Sequence, residues 1–243
     1  DATCLPPGDD TRHGPERLLR LPDVFCCYQP PPDCPPAEKP PSASQLPLTF
    51  CSFNNLAKLS PATIGVWAEI LIAQPAARLL LKSPGADDPT TQEFFRTQFA
   101  SHGVAPDRLH FNGEALPMRK HLSLYHGCDV ALDPFPYNGT TTTCEALLMG
   151  VPVVTLTGEA HVSRLGASLL RCVGLAGCVA TTPAEYVRIA LQLAADASHR
   201  AELRSSLRTR LVNSPLGRAG DFTRNYEAAV LAAWQTSVAA VAA

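Results

Sequence analysis

From residue 46 onward, short apolar runs alternate with longer stretches whose apolar positions recur at helical spacing. Residues 48–53 read as a strand. Residues 61–74 read as a helix capped by Ser60, with Pro61 at the first helical position, where its missing amide costs no hydrogen bond. Residues 77–82 form a second strand in which Leu79, Leu80 and Leu81 are consecutive, a run that suits a strand buried on both faces. The pattern continues with a helix at 90–102 stopped by Gly103, a strand at 108–111 and a helix at 118–126. A strand at 129–132, a helix at 141–149 stopped by Gly150, and a strand at 151–156 follow. Then come a helix at 162–173, a short strand at 178–180 and a helix at 183–194. Two further helices, 198–212 and 217–243, close the chain. Alternation this regular predicts a parallel sheet covered by helices on both faces. Right-handed crossovers make it doubly wound and Rossmann-like, so the expected fold class is α/β.

The first 46 residues follow another pattern. They hold Pro6, Pro7, Pro30, Pro31, Pro32, Pro35, Pro36, Pro40 and Pro41, with a basic stretch from Arg17 to Arg20. Proline fixes its backbone angle and lacks an amide donor, so this part is expected to be extended, wrapping or linking. Within it, residues 19–28 have enough apolar character to pack as a short strand. The chain therefore divides into a Pro-rich linker at 1–46, a Rossmann-like domain at 47–216 and a terminal helix at 217–243.

Composition narrows the function classes. The 243 residues are 46% hydrophobic and 17% charged, with a formal net charge of -2. Such a balance speaks against nucleic acid as a partner, because phosphate neutralisation needs clustered Lys and Arg. No apolar run reaches the roughly 18–20 residues that a membrane span requires. Asp1 stands where an initiator Met would, and no basic segment precedes an apolar stretch, so we expect a piece of a longer protein without a signal peptide. The nine cysteines are odd in number, lack a CxxC spacing, and in several cases sit in apolar segments. This usage fits free thiols in a cytoplasmic protein and gives no support to a zinc site.

In an open parallel sheet, ligands bind beyond the carboxyl ends of the strands, where helix N-termini present free amides. The most informative segment there is Leu132-Asp133-Pro134-Phe135-Pro136-Tyr137-Asn138-Gly139-Thr140-Thr141-Thr142-Thr143-Cys144-Glu145, which follows a strand and opens a helix. Asn138 and Gly139 make a tight turn, and Thr140, Thr141 and Thr142 bring hydroxyls and backbone amides around a helix start. That is a suitable cradle for a diphosphate; the bland alternative is ordinary capping by Thr140 or Thr141. Glu145, one turn inside, can accept from ribose hydroxyls. A second segment, Phe53 to Pro61, carries Asn55 and puts Lys58 just before a helix N-terminus, where an ammonium can meet phosphate oxygens. The third, Phe111 to Met118, includes Leu116 and has backbone groups able to read a nucleobase edge. It leads to His121 and Tyr125, which share a helix face. Gly158, Glu159, His161, Ser163 and Arg164 close another strand, with Arg164 expected to pair with Glu159 or an anion. No Gly-rich dinucleotide fingerprint, P-loop, GxSxG elbow or HExxH pair occurs.

These segments resemble a known family. Phe50-Cys51-Ser52-Phe53-Asn54-Asn55-Leu56-Ala57-Lys58, the Asp133 to Thr142 run, and Gly150-Val151-Pro152-Val153-Val154-Thr155 are similar to the catalytic region of protein O-GlcNAc transferases, glycosyltransferase family 41. The closest similarity is to bacterial forms that carry tetratricopeptide repeats. Ser214-Pro215-Leu216 and Cys27-Tyr28-Gln29-Pro30 fit as well. The resemblance implies a GT-B arrangement of two Rossmann-like halves, with this chain as the C-terminal, donor-binding one. The donor it implies is UDP-GlcNAc or a related UDP-hexose, transferred to Ser or Thr of proteins by an inverting, metal-independent reaction without a further cofactor. It assigns Lys58 and Asn55 to the diphosphate side, Thr141 and Thr142 to the phosphates, Glu145 to ribose, and His121, Leu116 and Met118 to the uridine side. Thr140 stands where animal members have His, Met118 where they have Lys, and Leu124 where an Arg is expected. The N-terminal catalytic half, the tetratricopeptide repeats and the protein acceptor are the implied partners, and 217–243 is the helix that returns to that half. Two competing readings are an inactive sugar-nucleotide-binding scaffold and a UDP-sugar epimerase, which would release product without an acceptor.

Overall fold

The computed structural model describes residues 1–8, 18–38 and 47–241. Six parallel strands form one sheet: β1 (Thr49–Ser52), β2 (Arg78–Lys82), β3 (Leu109–Asn112), β4 (Val130–Leu132), β5 (Val153–Leu156) and β6 (Val179–Ala180). Their order is β3-β2-β1-β4-β5-β6, so the direction of winding reverses between β1 and β4. The expected doubly wound α/β fold is therefore what the chain forms. Eight helices accompany the strands among the described residues: α1 (Pro61–Ala73), α2 (Pro89–Ala100), α3 (Met118–Ser123), α4 (Thr141–Leu148), α5 (Leu165–Cys172), α6 (Pro183–Ala195), α7 (Ala197–Asn213) and α8 (Ala219–Val241).

Burial explains the strand sequences. All four residues of β5 are buried, although successive side chains point to opposite faces, so helices must cover both sides. In β2 the three leucines are not equivalent: Leu79 and Leu81 are buried, whereas Leu80 is only half-buried. On one side α1 packs against α6, and there Trp67 Nε1 donates to Tyr186 Oη at 3.2 Å, both rings being fully buried. Elsewhere α4 packs against α7.

Helix ends follow the sequence signals closely. Ser60 Oγ accepts from Thr63 N at 3.1 Å to cap α1, with Pro61 behind it. Asp88 caps α2 and Thr182 caps α6, each followed by Pro. Gly150 has φ +76, and a Cβ there would sit 2.5 Å from Arg204 O, so only glycine fits this close to α7. Three expectations need correction. Residues 118–126 do not form one α-helix, because α3 tightens at Leu124–Gly127 into a 3-10 turn. Residues 162–173 begin with a 3-10 turn at His161–Ser163 before α5. Residues 19–28 make no strand. They run beside the domain as irregular backbone, with Val24 buried and Tyr28 N donating to Leu216 O at 2.8 Å. Arg17, Pro40 and Pro41 lie outside the described residues.

The early segments lie against the Rossmann body. Asp1 is buried and its carboxylate accepts from Ser168 Oγ at 2.6 Å. Arg119 donates to Asp33 O at 2.9 Å, and Arg208 donates to Pro35 O. All nine cysteines are free thiols, and Cys4, Cys51, Cys128, Cys144 and Cys178 are buried, where they pack as small hydrophobes. Among the described residues no helix is long and apolar enough to cross a membrane.

Arg204 ties α7 to the far end of the sheet. Its guanidinium is buried and donates to Met149 O at 2.9 Å, Tyr125 O at 3.2 Å and Cys128 O. Arg204→Met keeps the apolar stem but takes its donor from Met149 O and Cys128 O, each at a cost of about 1–3 kcal/mol, while Tyr125 O still accepts from Cys128 N at 3.1 Å. Thermal denaturation should show a melting temperature lower by roughly 5–10 °C. An unchanged value would mean that these carbonyls do not depend on the guanidinium.

Candidate functional site

The reversal between β1 and β4 opens a crevice at the carboxyl ends of both strands, and the loops following them meet there. After β1, Asn54 is buried and a 3-10 turn at Leu56–Lys58 leads to α1. Asn55 is exposed and caps that turn, its Oδ1 accepting from Ala57 N at 2.9 Å. After β4 comes the loop Asp133 to Thr140, and α4 begins at Thr141.

The carboxylate of Asp133 anchors the second loop from beneath. It is buried, and its two oxygens accept from Gly139 N and from Thr155 Oγ1, each at 2.7 Å. Its carbonyl accepts from Tyr186 Oη at 3.1 Å. A Cβ on Gly139 would lie 2.4 Å from Thr142 Oγ1 and 2.7 Å from Asn54 Oδ1, so the turn closes only with glycine. Phe135, joined to Pro136 by a cis peptide bond, accepts through its carbonyl from Ser60 Oγ at 2.9 Å and Thr63 Oγ1 at 2.6 Å. The α1 N-cap thereby also holds the β4 loop.

Lys58 crosses from one loop to the other. Its Nζ donates to Asn138 O at 3.0 Å and Asn54 Oδ1 at 3.4 Å, and it lies 4.2 Å from the Tyr137 ring centroid. Partial burial lowers the pKa of this ammonium, and the Asp133 carboxylate opposes the shift. Asn54 Oδ1 also accepts from Thr142 Oγ1 at 3.1 Å. Thr140 occupies the N-cap position of α4, yet its side chain makes no capping bond. Capping therefore does not account for the threonine run. Thr140 and Thr142 are half-buried and Thr141 is exposed at a helix start whose free amides face the crevice.

On the other flank, His121 Nε2 lies 3.0 Å from Glu145 Oε2. Phe53 stacks on Tyr125 with centroids 4.1 Å apart and meets His121 edge-on at 5.6 Å. Tyr125 Oη donates to Thr142 O at 3.2 Å. Leu116 is half-buried on the β3–α3 loop, and Met118 is exposed as the first residue of α3. Arg164 donates through Nε to Gly158 O at 2.9 Å, bracing its own loop.

The structure thus joins Lys58, Asn138, Gly139 and Thr142, and separately pairs His121 with Glu145. Sequence reasoning passed over the supports. Asn54, Asp133, Thr155 and Tyr137 all touch the cradle. Two residues at the end of β2 brace neighbouring loops: Ser83 Oγ accepts from Leu56 N of the β1 loop at 3.3 Å, and the buried Lys82 donates to Glu114 O of the β3–α3 loop at 3.3 Å. Asp133 was visible as the first residue of the motif, but Lys82 and Ser83 have no local signal, because their partners are 32 and 27 residues away, respectively.

Burial pushes the Asp133 carboxyl up to about 7, against the pull of Thr155, the Gly139 amide and Lys58. The folded protein therefore keeps this proton where the unfolded chain, with a value near 3.8, has lost it. The stability this gives is complete below the unfolded value and is lost as the pH rises through about 7. Asp133→Asn removes the titration while keeping an acceptor for Gly139. Its melting temperature relative to wild type should rise by roughly 5–10 °C between pH 4 and 7.5, then level off. A difference that stays flat across that range would contradict a carboxyl buried in this way.

Known proteins resemble this chain in sequence and in fold. A family profile described as Glycosyl transferase family 41 matches residues 42–226. A rice (Oryza sativa subsp. japonica) protein named probable UDP-N-acetylglucosamine–peptide N-acetylglucosaminyltransferase SPINDLY is 44% identical over 240 residues, covering 97% of this chain and 25% of its own length. Its Arabidopsis thaliana namesake is 41% identical over 236 residues, covering 97% and 26%. The chain thus spans about a quarter of the length of these curated relatives. A solved structure of a mutant Thermobaculum terrenum O-GlcNAc transferase superposes with a TM-score of 0.90 at 38% identity, covering 99% of this chain and 45% of that one.

Proposed function

This chain belongs to glycosyl transferase family 41, and on that premise we propose that it is the donor-binding half of a two-domain glycosyltransferase. The donor is UDP-GlcNAc or a related UDP-hexose, and the acceptor is a Ser or Thr hydroxyl of a protein. The names of the relatives support both assignments. The observation that carries the reading is Lys58. Its ammonium is held between Asn138 O and Asn54 Oδ1, beside a helix start whose hydroxyls make no caps, at the point where the strand order reverses.

Transfer of the sugar leaves negative charge on the departing diphosphate. Lys58, the hydroxyls of Thr140, Thr141 and Thr142, and the first amides of α4 are the groups that would receive that charge, with Gly139 allowing the backbone to come close. Lys58 and Thr142 are already held by hydrogen bonds before any ligand arrives, so little reorganisation opposes their action. Asn55 borders the diphosphate. Glu145 takes a ribose hydroxyl on the flank where it meets His121, and Leu116 and Met118 border the base. No cofactor besides the donor is required in this scheme. The general base belongs to the N-terminal half, which together with tetratricopeptide repeats would make up the remaining length of the relatives, and the working compartment is the cytoplasm.

The domain division follows the same scheme, with 1–46 as linker, 47–216 as the donor domain and 217–243 as the helix returning to the N-terminal half. Tyr226, Val230, Leu231, Trp234 and Val238 of α8 are exposed, and four of them recur at every fourth position, a stripe suited to such a contact. In the full-length protein, Trp234→Ser should lower the melting temperature by about 3 °C or more. No change would leave this face in solvent.

Calorimetric titration with UDP, against ADP and GDP, tests the donor assignment. UDP should bind selectively and more weakly to Lys58→Ala. In the full-length enzyme the same substitution should lower turnover at least about tenfold, or about 1.4 kcal/mol in activation free energy. Turnover near wild type would remove Lys58 from the leaving-group role.

A further inference from the structure

Lys82 ends β2, where Leu79 and Leu81 before it are buried, and it is itself only 7% exposed. Its one hydrogen-bond acceptor among the described residues is Glu114 O, at 3.3 Å. Burying an ammonium is costly, and an apolar side chain of similar length would fill this strand end at lower cost. What the ammonium alone supplies is a donor to the loop between β3 and α3. That loop carries Leu116 and leads to Met118 and His121. Resting on the donor reading above, in which this loop borders the base, we infer that Lys82 is a positioning residue: it holds the β3–α3 loop in the place from which the loop selects the nucleobase.

The loop is held from two directions. Gly113 is pressed against the turn that follows β2: a Cβ there would lie 2.2 Å from Asp87 Oδ1 and 2.5 Å from Asp87 N. That turn is well tied. Ser83 N donates to Asn112 O at 3.1 Å, Ala86 N to Ser83 O at 3.0 Å, Asp88 N to Gly85 O at 3.2 Å, and Gln92 Nε2 to Ala86 O at 3.0 Å. The second hold is Lys82. From Glu114 to Leu116 no other hydrogen bond fixes the backbone among the described residues, and the next one is His121 N donating to Pro117 O at 2.9 Å. A base presents donors and acceptors along its edge, and a backbone N–H or C=O tells bases apart only when it stands at hydrogen-bonding distance from the right one. A carbonyl tied to a buried ammonium keeps that registration, whereas an untied loop would adapt to several bases. The diphosphate side stands on other supports, since Lys58 and Thr142 are held through Asn54 and Asn138.

The test uses the full-length protein, with Lys82→Met, Lys82→Arg and Gly113→Ala beside wild type, titrated with UDP, CDP and ADP. Lys82→Met keeps the apolar stem and removes the donor. It should weaken UDP about tenfold and narrow the preference for UDP over CDP and ADP by about fivefold or more. Lys82→Arg, which can still donate to Glu114 O, should restore most of that preference. Gly113→Ala, which pushes the same loop away from Asp87, should narrow the preference by another route. If Lys82→Met does not fold, Lys82→Gln, with its neutral donor, replaces it in the same comparison. A merely structural Lys82 would weaken the three nucleotides alike; that result, or a preference left unmoved, overturns this inference alone. A wild-type protein that binds no UDP, or binds ADP as well as UDP, would overturn the donor reading, and this inference with it.

Discussion

The Asp133 carboxylate sits at the end of β4 almost out of reach of water, and its two oxygens are taken by the Gly139 amide and the Thr155 hydroxyl. Desolvating a carboxylate is costly unless its oxygens find donors, and these donors belong to the two structures that must be brought together. One is the tip of the β4–α4 loop and the other is the neighbouring strand. Fixing Gly139 fixes the start of α4, and the position of α4 sets where Thr142 meets Asn54 and where Asn138 O receives Lys58. The cradle is thus built outward from a buried carboxyl, which fixes the loop on which its exposed groups then bond to one another.

Strand order supplies the other constraint. Because winding reverses between β1 and β4, no crossover covers the gap between their loops, and Lys58 can bridge it only there. The same gap lets α1 act twice: its N-cap Ser60 and Thr63 close the first turn of the helix and also hold Phe135 on the opposite loop. A sugar nucleotide entering this crevice would meet side chains whose hydrogen bonds are already made, which lowers the entropy lost on ordering them.

Much of this was legible in the chain. The strands announce themselves by their apolar runs, and Ser60-Pro61 and Thr182-Pro183 mark helix starts because capping and proline chemistry are local. The loop from Asp133 to Glu145 could be recognised for the same reason: its glycine and threonines act within a few residues of one another. What the sequence hides is pairing at a distance. Ser83 supports Leu56, Lys82 supports Glu114, and His121 meets Glu145 24 residues away, and none of these contacts leaves a periodicity or a spacing to read. The threonine run was legible as a helix start but not as an uncapped one, because whether a hydroxyl caps depends on the backbone angles at Thr140. Residues 19–28 misled in the opposite direction. Their apolar side chains pack against the domain, but no strand edge is offered to their backbone.

The two ends of the cradle differ in a way that bears on the direction of transfer. The His121–Glu145 flank is the enclosed one: Glu145 and Tyr125 are buried, and the buried Phe53 stacks on Tyr125. The Tyr137 flank is open, with Pro136 and Tyr137 both exposed. An enclosed end suits the part of a substrate that is held throughout the reaction, and an open end suits the part that must leave with another molecule. If the nucleotide occupies the enclosed flank, the bond to be broken lies at the open rim beside Lys58, where an acceptor can approach without displacing the nucleotide. The charge released by that cleavage then falls on the groups that Asp133 has already set in place.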